Sequence, residues 1–177
     1  MRRCLLAALV SMLLAALMAG CAGAQLEEDS FGFTASDFKE RFNKLADDDI
    51  GDWEGQESYY DETERIYYWD FGNGVQMLVS THKDTDAVIS VFTHCKVDTM
   101  TKFMNYFPSA VAVCDEPAIT GKGEYVIDDV VEELGLFDEE SYNHTNETID
   151  KGKISYRFMA NESEFSINIF ITGTQEE

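Results

Sequence analysis

The runs "ERIYYWDF" (residues 64–71), "GVQMLVSTH" (74–82) and "DAVISVFTHC" (86–95) follow one another with only turn chemistry between them. All three read as alternating runs, the period of a strand with one face buried. Gly72-Asn73-Gly74 and Lys83-Asp84-Thr85-Asp86 have the composition of hairpin connections, so the stretch predicts an antiparallel meander of three strands. Alternation also assigns faces. Odd positions of the second and third runs, with Ala87, Ile89, Val91 and Thr93 sharing the parity of Cys95, form the better core side.

Outward from the meander the period changes to that of helices. In "FTASDFKERFNKLADDD" (33–49), Thr34 is placed to cap a helix with Asp37 at its third position. Phe33 staples onto Phe38, and Phe38, Phe42 and Leu45 make one stripe. After the meander, Asp98 can cap a helix carrying Met100, Phe103, Met104 and Phe107, with Pro108 either kinking it or opening a second segment through "SAVAVCDE" (109–116). Ile127, Val130, Val131 and Leu134 predict another helix, with Gly135 in the position of a C-terminal cap. The tail "KGKISYRFMANESEFSINIFITG" (151–173) reads as a hairpin: Ile154, Tyr156 and Phe158 alternate in one strand, Phe165, Ile167, Ile169 and Ile171 in the other. The expected fold is therefore α+β: an antiparallel sheet of about five strands, three from the meander and two from the C-terminal hairpin, with helices on one face. In element order this looks like the type III secretion chaperone fold, a small acidic binding architecture, although no sequence motif carries that likeness.

The first residues belong to a different logic. Met1-Arg2-Arg3 is a positive start, and Cys4 to Met18 is an apolar run rich in Leu and Ala, the pattern of a secretory signal. The run closes on Met18-Ala19-Gly20-Cys21, which resembles the lipobox of bacterial lipoproteins, departing from it in having Met18 where such motifs usually have Leu. The resemblance implies a diacylglyceryl group on the Cys21 thiol, cleavage before Cys21, and a membrane anchor that holds without spanning. It also implies the cell envelope, with Ala22 favouring the outer membrane if the organism has one. The competing readings are an ordinary signal peptide and an uncleaved spanning helix over Cys4–Ala24; the Ala and Gly of its last third weigh against the spanning helix. The domain organisation expected is a lipoprotein signal peptide (1–20), a lipidated flexible tether (21–32) and one α+β domain (33–177).

Losing Arg2 and Arg3 with the signal would deepen the formal charge from −21 to −23. Such a balance repels nucleic acid and anionic headgroups and favours cationic partners or divalent ions, although solubility alone also explains it. Cleavage and lipidation would leave Cys95 and Cys114 as the pair available in an oxidising compartment. A disulfide there contributes about 3 kcal/mol in the chain-entropy model; two separate buried thiols are the alternative. His94 beside Cys95 makes no dyad, because strand neighbours point to opposite faces. His82 and His144 lack metal-ligand spacing, and the acidic run Asp47, Asp48, Asp49, Asp52, Glu54 departs from an EF-hand around Gly51. No phosphate loop, G-x-S-x-G elbow or H-E-x-x-H pair is present, so no cofactor, metal or catalytic residue is expected. Three Asn-x-Ser/Thr triplets, at Asn143, Asn146 and Asn161, carry no weight under a bacterial lipoprotein signal.

The face opposite the core should then carry Leu78, Val88, Phe92, Met159 and Phe170, with His82, His94, Arg157 and Asn168 among them. That is greasier than a solvated surface requires, and it is the candidate binding face for an envelope protein or a small ligand. An envelope enzyme with a site assembled from distant residues, and a structural envelope component, are the other classes.

Overall fold

A computed structural model of the chain describes residues 29–46, 48–59, 61–114, 127–135 and 146–171. The lipobox-like residues Met18–Cys21, the tether before Asp29 and His144 lie outside them. In chain order the described elements are helix α1 (Ala35–Leu45), strands β1 (Gly55–Glu57), β2 (Glu64–Asp70), β3 (Val75–His82) and β4 (Val88–Lys96), a 3-10 turn (Val97–Thr99), helices α2 (Met100–Cys114) and α3 (Ile127–Glu133), and strands β5 (Asn146–Lys151), β6 (Ile154–Ala160) and β7 (Glu164–Ile171). All seven strands join one antiparallel sheet in the order β1-β2-β3-β4-β7-β6-β5. Two meanders, β1 to β4 and β5 to β7, are thus fused through the β4–β7 ladder.

The fold is α+β as expected, with seven strands rather than about five. The two additional strands are the outermost ones. β1 is Gly-Gln-Glu and β5 is Asn-Glu-Thr-Ile-Asp-Lys, so neither carries an apolar alternation. Polar, charged edges discourage pairing with foreign strands, and the same chemistry hides them from a search for hydrophobic period. Gly55 also fits its place by size: a Cβ there would collide with Arg65 and Tyr67 on the neighbouring strand.

Helix α1 begins as its sequence dictates. The Asp37 N–H donates to Thr34 Oγ1 at 3.2 Å and the Thr34 N–H donates to Asp37 Oδ2 at 3.0 Å, a complete capping box of the kind that contributes about 1 kcal/mol. Phe33 stacks on Phe38 at 6.4 Å, and Phe38 on Phe42 at 5.8 Å. Leu45, read as the third member of that stripe, is instead 53% exposed in the last turn. The polypeptide is already docked at Phe31, inside the stretch read as tether. Phe31 is buried, its N–H donates to Val88 O at 2.8 Å, and Val88 N–H returns a bond to Phe33 O at 2.9 Å. Residues 31–34 thereby continue alongside β4 beyond the point where β7 stops pairing.

Helix α2 runs unbroken from Met100 to Cys114 with Pro108 inside it, and Asp98 falls within the 3-10 turn ahead of it rather than at a simple cap. Helix α3 closes at Gly135, whose φ of +60° and N–H bond to Glu132 O match the expected left-handed cap. The helices, with Leu134 directly after α3, supply Phe38, Phe42, Phe103, Phe107, Val111 and Val130 to one core, against Val75, Met77, Val79, Val91, Cys95, Tyr156, Phe158, Ile167 and Ile169 of the sheet. No described helix is long and apolar enough to cross a membrane.

Candidate functional site

The side of the sheet away from the described helices is organised by register. Tyr68 pairs with Leu78, Leu78 with Phe92, Phe92 with Asn168, and Asn168 with Arg157, so one straight row crosses five strands. Four of those five residues, together with His94 one step along β4, had been picked out from strand parity alone. Leu78, Phe92, His94, Arg157 and Asn168 are all partly exposed there. The apolar end of the row is Tyr68, Leu78 and Phe92; the polar end is Asn168 and Arg157, whose Nε donates to Asn146 Oδ1 at 2.9 Å. His94 lies 3.5 Å from Glu164, and its ring stacks parallel to Phe92 at 6.4 Å. The Asn168 Oδ1 atom is shielded from solvent and accepts no hydrogen bond among the described residues.

Two members of the expected face are placed differently. Val88 is fully buried in the core, because Ser80 pairs with Ser90 while Thr81 pairs with Val88, leaving Ile89 as the extra residue of a β-bulge. A one-residue insertion inverts parity on one side of it, so Val88 turns in and Ile89 turns out. Phe170 does share the face but is only 7% exposed, and its cross-strand partner Ser155 is buried as well. The apolar ground open to a partner is therefore Tyr68, Leu78 and Phe92, with Ile66 beside them.

Tyr68, 47% exposed, was missed in the sequence because both parities of "ERIYYWDF" are greasy. The signal that could have found it is the β2–β3 turn: fixing Trp69 opposite Met77 sends Tyr68 to the side of Leu78.

At the end of this face near the β3–β4 turn, a polar cleft of about 250 Å³ opens between Asp29, Asp61, Thr63, Glu64, Ser80, His82, Ile89 and Ser90. Cofactor pockets usually exceed about 300 Å³, so the cleft suits a small group or a single side chain. His82 Nε2 lies 3.0 Å from Asp29 Oδ1, tying the first described residue to the cleft wall. The Asp61 carboxyl is held below the usual range by the Thr63 hydroxyl and N–H that donate to it, both at 2.7 Å. Glu64 is pushed up, first by partial burial and then by the charge of Asp61. A cation entering beside Glu64 would relieve both effects.

The acidic loop after α1 is tied to the protein rather than arranged around an ion. Asp48 accepts from Tyr106 Oη at 2.5 Å, and Asn43 bonds both the N–H and C=O of Ile50. Among the described residues no three His, Cys, Asp or Glu side chains converge as a metal site requires.

Cys95 and Cys114 are buried thiols with no disulfide between them. Burial pushes the Cys95 thiol up to about 12, so its nucleophilic thiolate is scarce at neutral pH. His94 and Cys95 point to opposite faces, so His94 cannot serve the sulfur as a base. Iodoacetamide at pH 8 is expected to leave Cys95 and Cys114 unmodified in the native chain and to alkylate both after guanidinium unfolding. Peptide mass mapping reads the result, and native labelling at the unfolded rate would contradict this burial.

No protein-family model, curated protein or solved structure matches this chain.

Proposed function

We propose that the chain is a lipid-anchored binding module of the bacterial cell envelope, tethered through Cys21 and engaging an envelope protein or a small ligand with the face of its sheet that the described helices leave open. The observation that carries the binding role is the row Tyr68-Leu78-Phe92, partly exposed apolar side chains on adjacent strands of a face that the described helices leave open. Contiguous apolar ground of this kind, rimmed by Asp70, Glu64 and Glu164, has the make-up of an interaction surface. The anchor is supported by Met18-Ala19-Gly20-Cys21. From Cys21 to Asp29 is eight residues, at most about 28 Å of extended chain, so the cleft end of the face would lie close to the bilayer. If the organism has an outer membrane, Ala22 favours that membrane as the site of anchoring.

A photo-cross-linking amino acid placed at Tyr68 is expected to capture a specific partner in living cells. The same group at Lys44, exposed on α1 in the opposite layer, should capture none. Equal capture from both positions, or from neither, would refute the face as the binding surface.

A further inference from the structure

Resting on that binding face, we infer the chemistry of its partner: a cationic polypeptide segment with an apolar centre. The inference comes from charge complementarity along one strand. On β2 the outward residues are Glu64, Ile66, Tyr68 and Asp70, two carboxylates bracketing two apolar side chains. Six residues at about 3.3 Å each separate the carboxylates by about 20 Å. Ile66 and Tyr68 continue inward, through the pairs Ile66–Ser80 and Tyr68–Leu78, to Leu78 and Phe92.

The two ends are not equivalent. Asp70 is held ionised by the Gly72 N–H at 2.7 Å, and it stands exposed at the rim. Glu64 opens into the polar cleft with Asp61 and His82 around it, where a lysine or arginine side chain has both space and a carboxylate whose charge is unfavourably placed without a cation. Among the described residues the one arginine on the face, Arg157, sits at the far end of the row on β6 and is bonded to Asn146. Anionic partners meet a chain of formal charge −21, and a polycation without apolar groups gains nothing from Tyr68, Leu78 and Phe92.

The probe is a capped heptapeptide with lysine at its first and last positions, leucine at the third and fifth, and serine between, which in extended form mirrors the β2 row. Amide NMR of the full-length chain in detergent micelles should show saturable shifts at Tyr68, Leu78 and Phe92. Affinity should fall as salt is raised. Glu64→Gln and Asp70→Asn together should weaken binding about five-fold, the effect of losing two ion pairs, one exposed and one half-buried. A glutamate-ended peptide, or spermine, should not produce these shifts. Equal binding by either, shifts confined to other surfaces, or no shift with millimolar lysine peptide would overturn the inference. If the lysine peptide fails while Tyr68 still captures a partner in cells, the partner's chemistry is wrong and the binding face stands.

Discussion

Replacing Phe38 with alanine should cost about 3–5 kcal/mol of folding stability, read as a lowered urea midpoint at unchanged slope. Phe38 is fully buried and stands at a branch point of aromatic packing, with ring centroids 6.4 Å from Phe33, 5.8 Å from Phe42 and 6.4 Å from Trp53. From Phe42 the contacts pass to Phe71 at 6.0 Å and on to Tyr106 at 4.0 Å; from Trp53 they pass to Tyr67 at 5.1 Å. One ring thus joins the N-terminal segment, α1, the acidic loop, β2 and α2. Alanine removes the transfer energy of a phenyl group and leaves a cavity between elements pinned elsewhere by hydrogen bonds, so collapse around it is limited. Phe38→Leu keeps much of the volume and should lose less than about 1.5 kcal/mol. Equal losses for the two variants would mean that ring geometry, not volume, sets the stability of this cluster. A loss below 1 kcal/mol for alanine would mean that the site relaxes, and that the aromatic branch point is not a support of the fold.

Where the sequence was legible, one physical signal was clean. Thr34 and Asp37 at capping-box spacing, Gly135 after a helical stripe, and the alternation of β3 and β7 each describe a local choice that the tertiary structure leaves intact. Illegibility arose where two signals conflicted or none existed. β1 and β5 pair through backbone and carry almost no apolar side chains, so no period marks them. Leu45 sits on the stripe of Phe38 and Phe42 by spacing, but it falls in the final turn, beyond the elements that α1 packs against. The binding row shows both outcomes. Leu78, Phe92, Asn168 and Arg157 follow from strict alternation within four strands. Val88 was misplaced because a single inserted residue, Ile89, reverses parity, and nothing in "DAVISVF" announces a bulge. The cleft was out of reach for a different reason. Its walls come from residues 29, 61–64, 80–82 and 89–90, which only the register of β2, β3 and β4 brings together.

Cys21→Ser should abolish acylation and leave the precursor uncut, and this separates the anchor from every other reading of the first residues. In the proposed pathway lipid attachment precedes cleavage, so loss of the thiol blocks both. The wild-type chain should be isolated lacking residues 1–20 and carrying the added mass of a diacylglyceryl group; the variant should retain Met1 or its neighbours and carry no lipid. The effect is large because membrane binding scales at about 0.8 kcal/mol per buried methylene, so two or three chains hold a domain that one chain would hold only marginally. Fractionation alone would mislead. Cys4–Ala24 is an uncharged stretch of about twenty residues, long enough to keep an uncut precursor in the bilayer by itself, so both proteins could sediment with membranes. Mass and palmitate incorporation discriminate where location does not. A wild-type chain with no acyl mass and an intact start would make residues 4–24 a spanning anchor; one cut cleanly and lipid-free would make them an ordinary export signal. Either result removes Cys21 as the tether, but only the clean, lipid-free cut frees the cleft end of the face from its proposed station within about 28 Å of the membrane, since a span ending at Ala24 would hold Asp29 closer still.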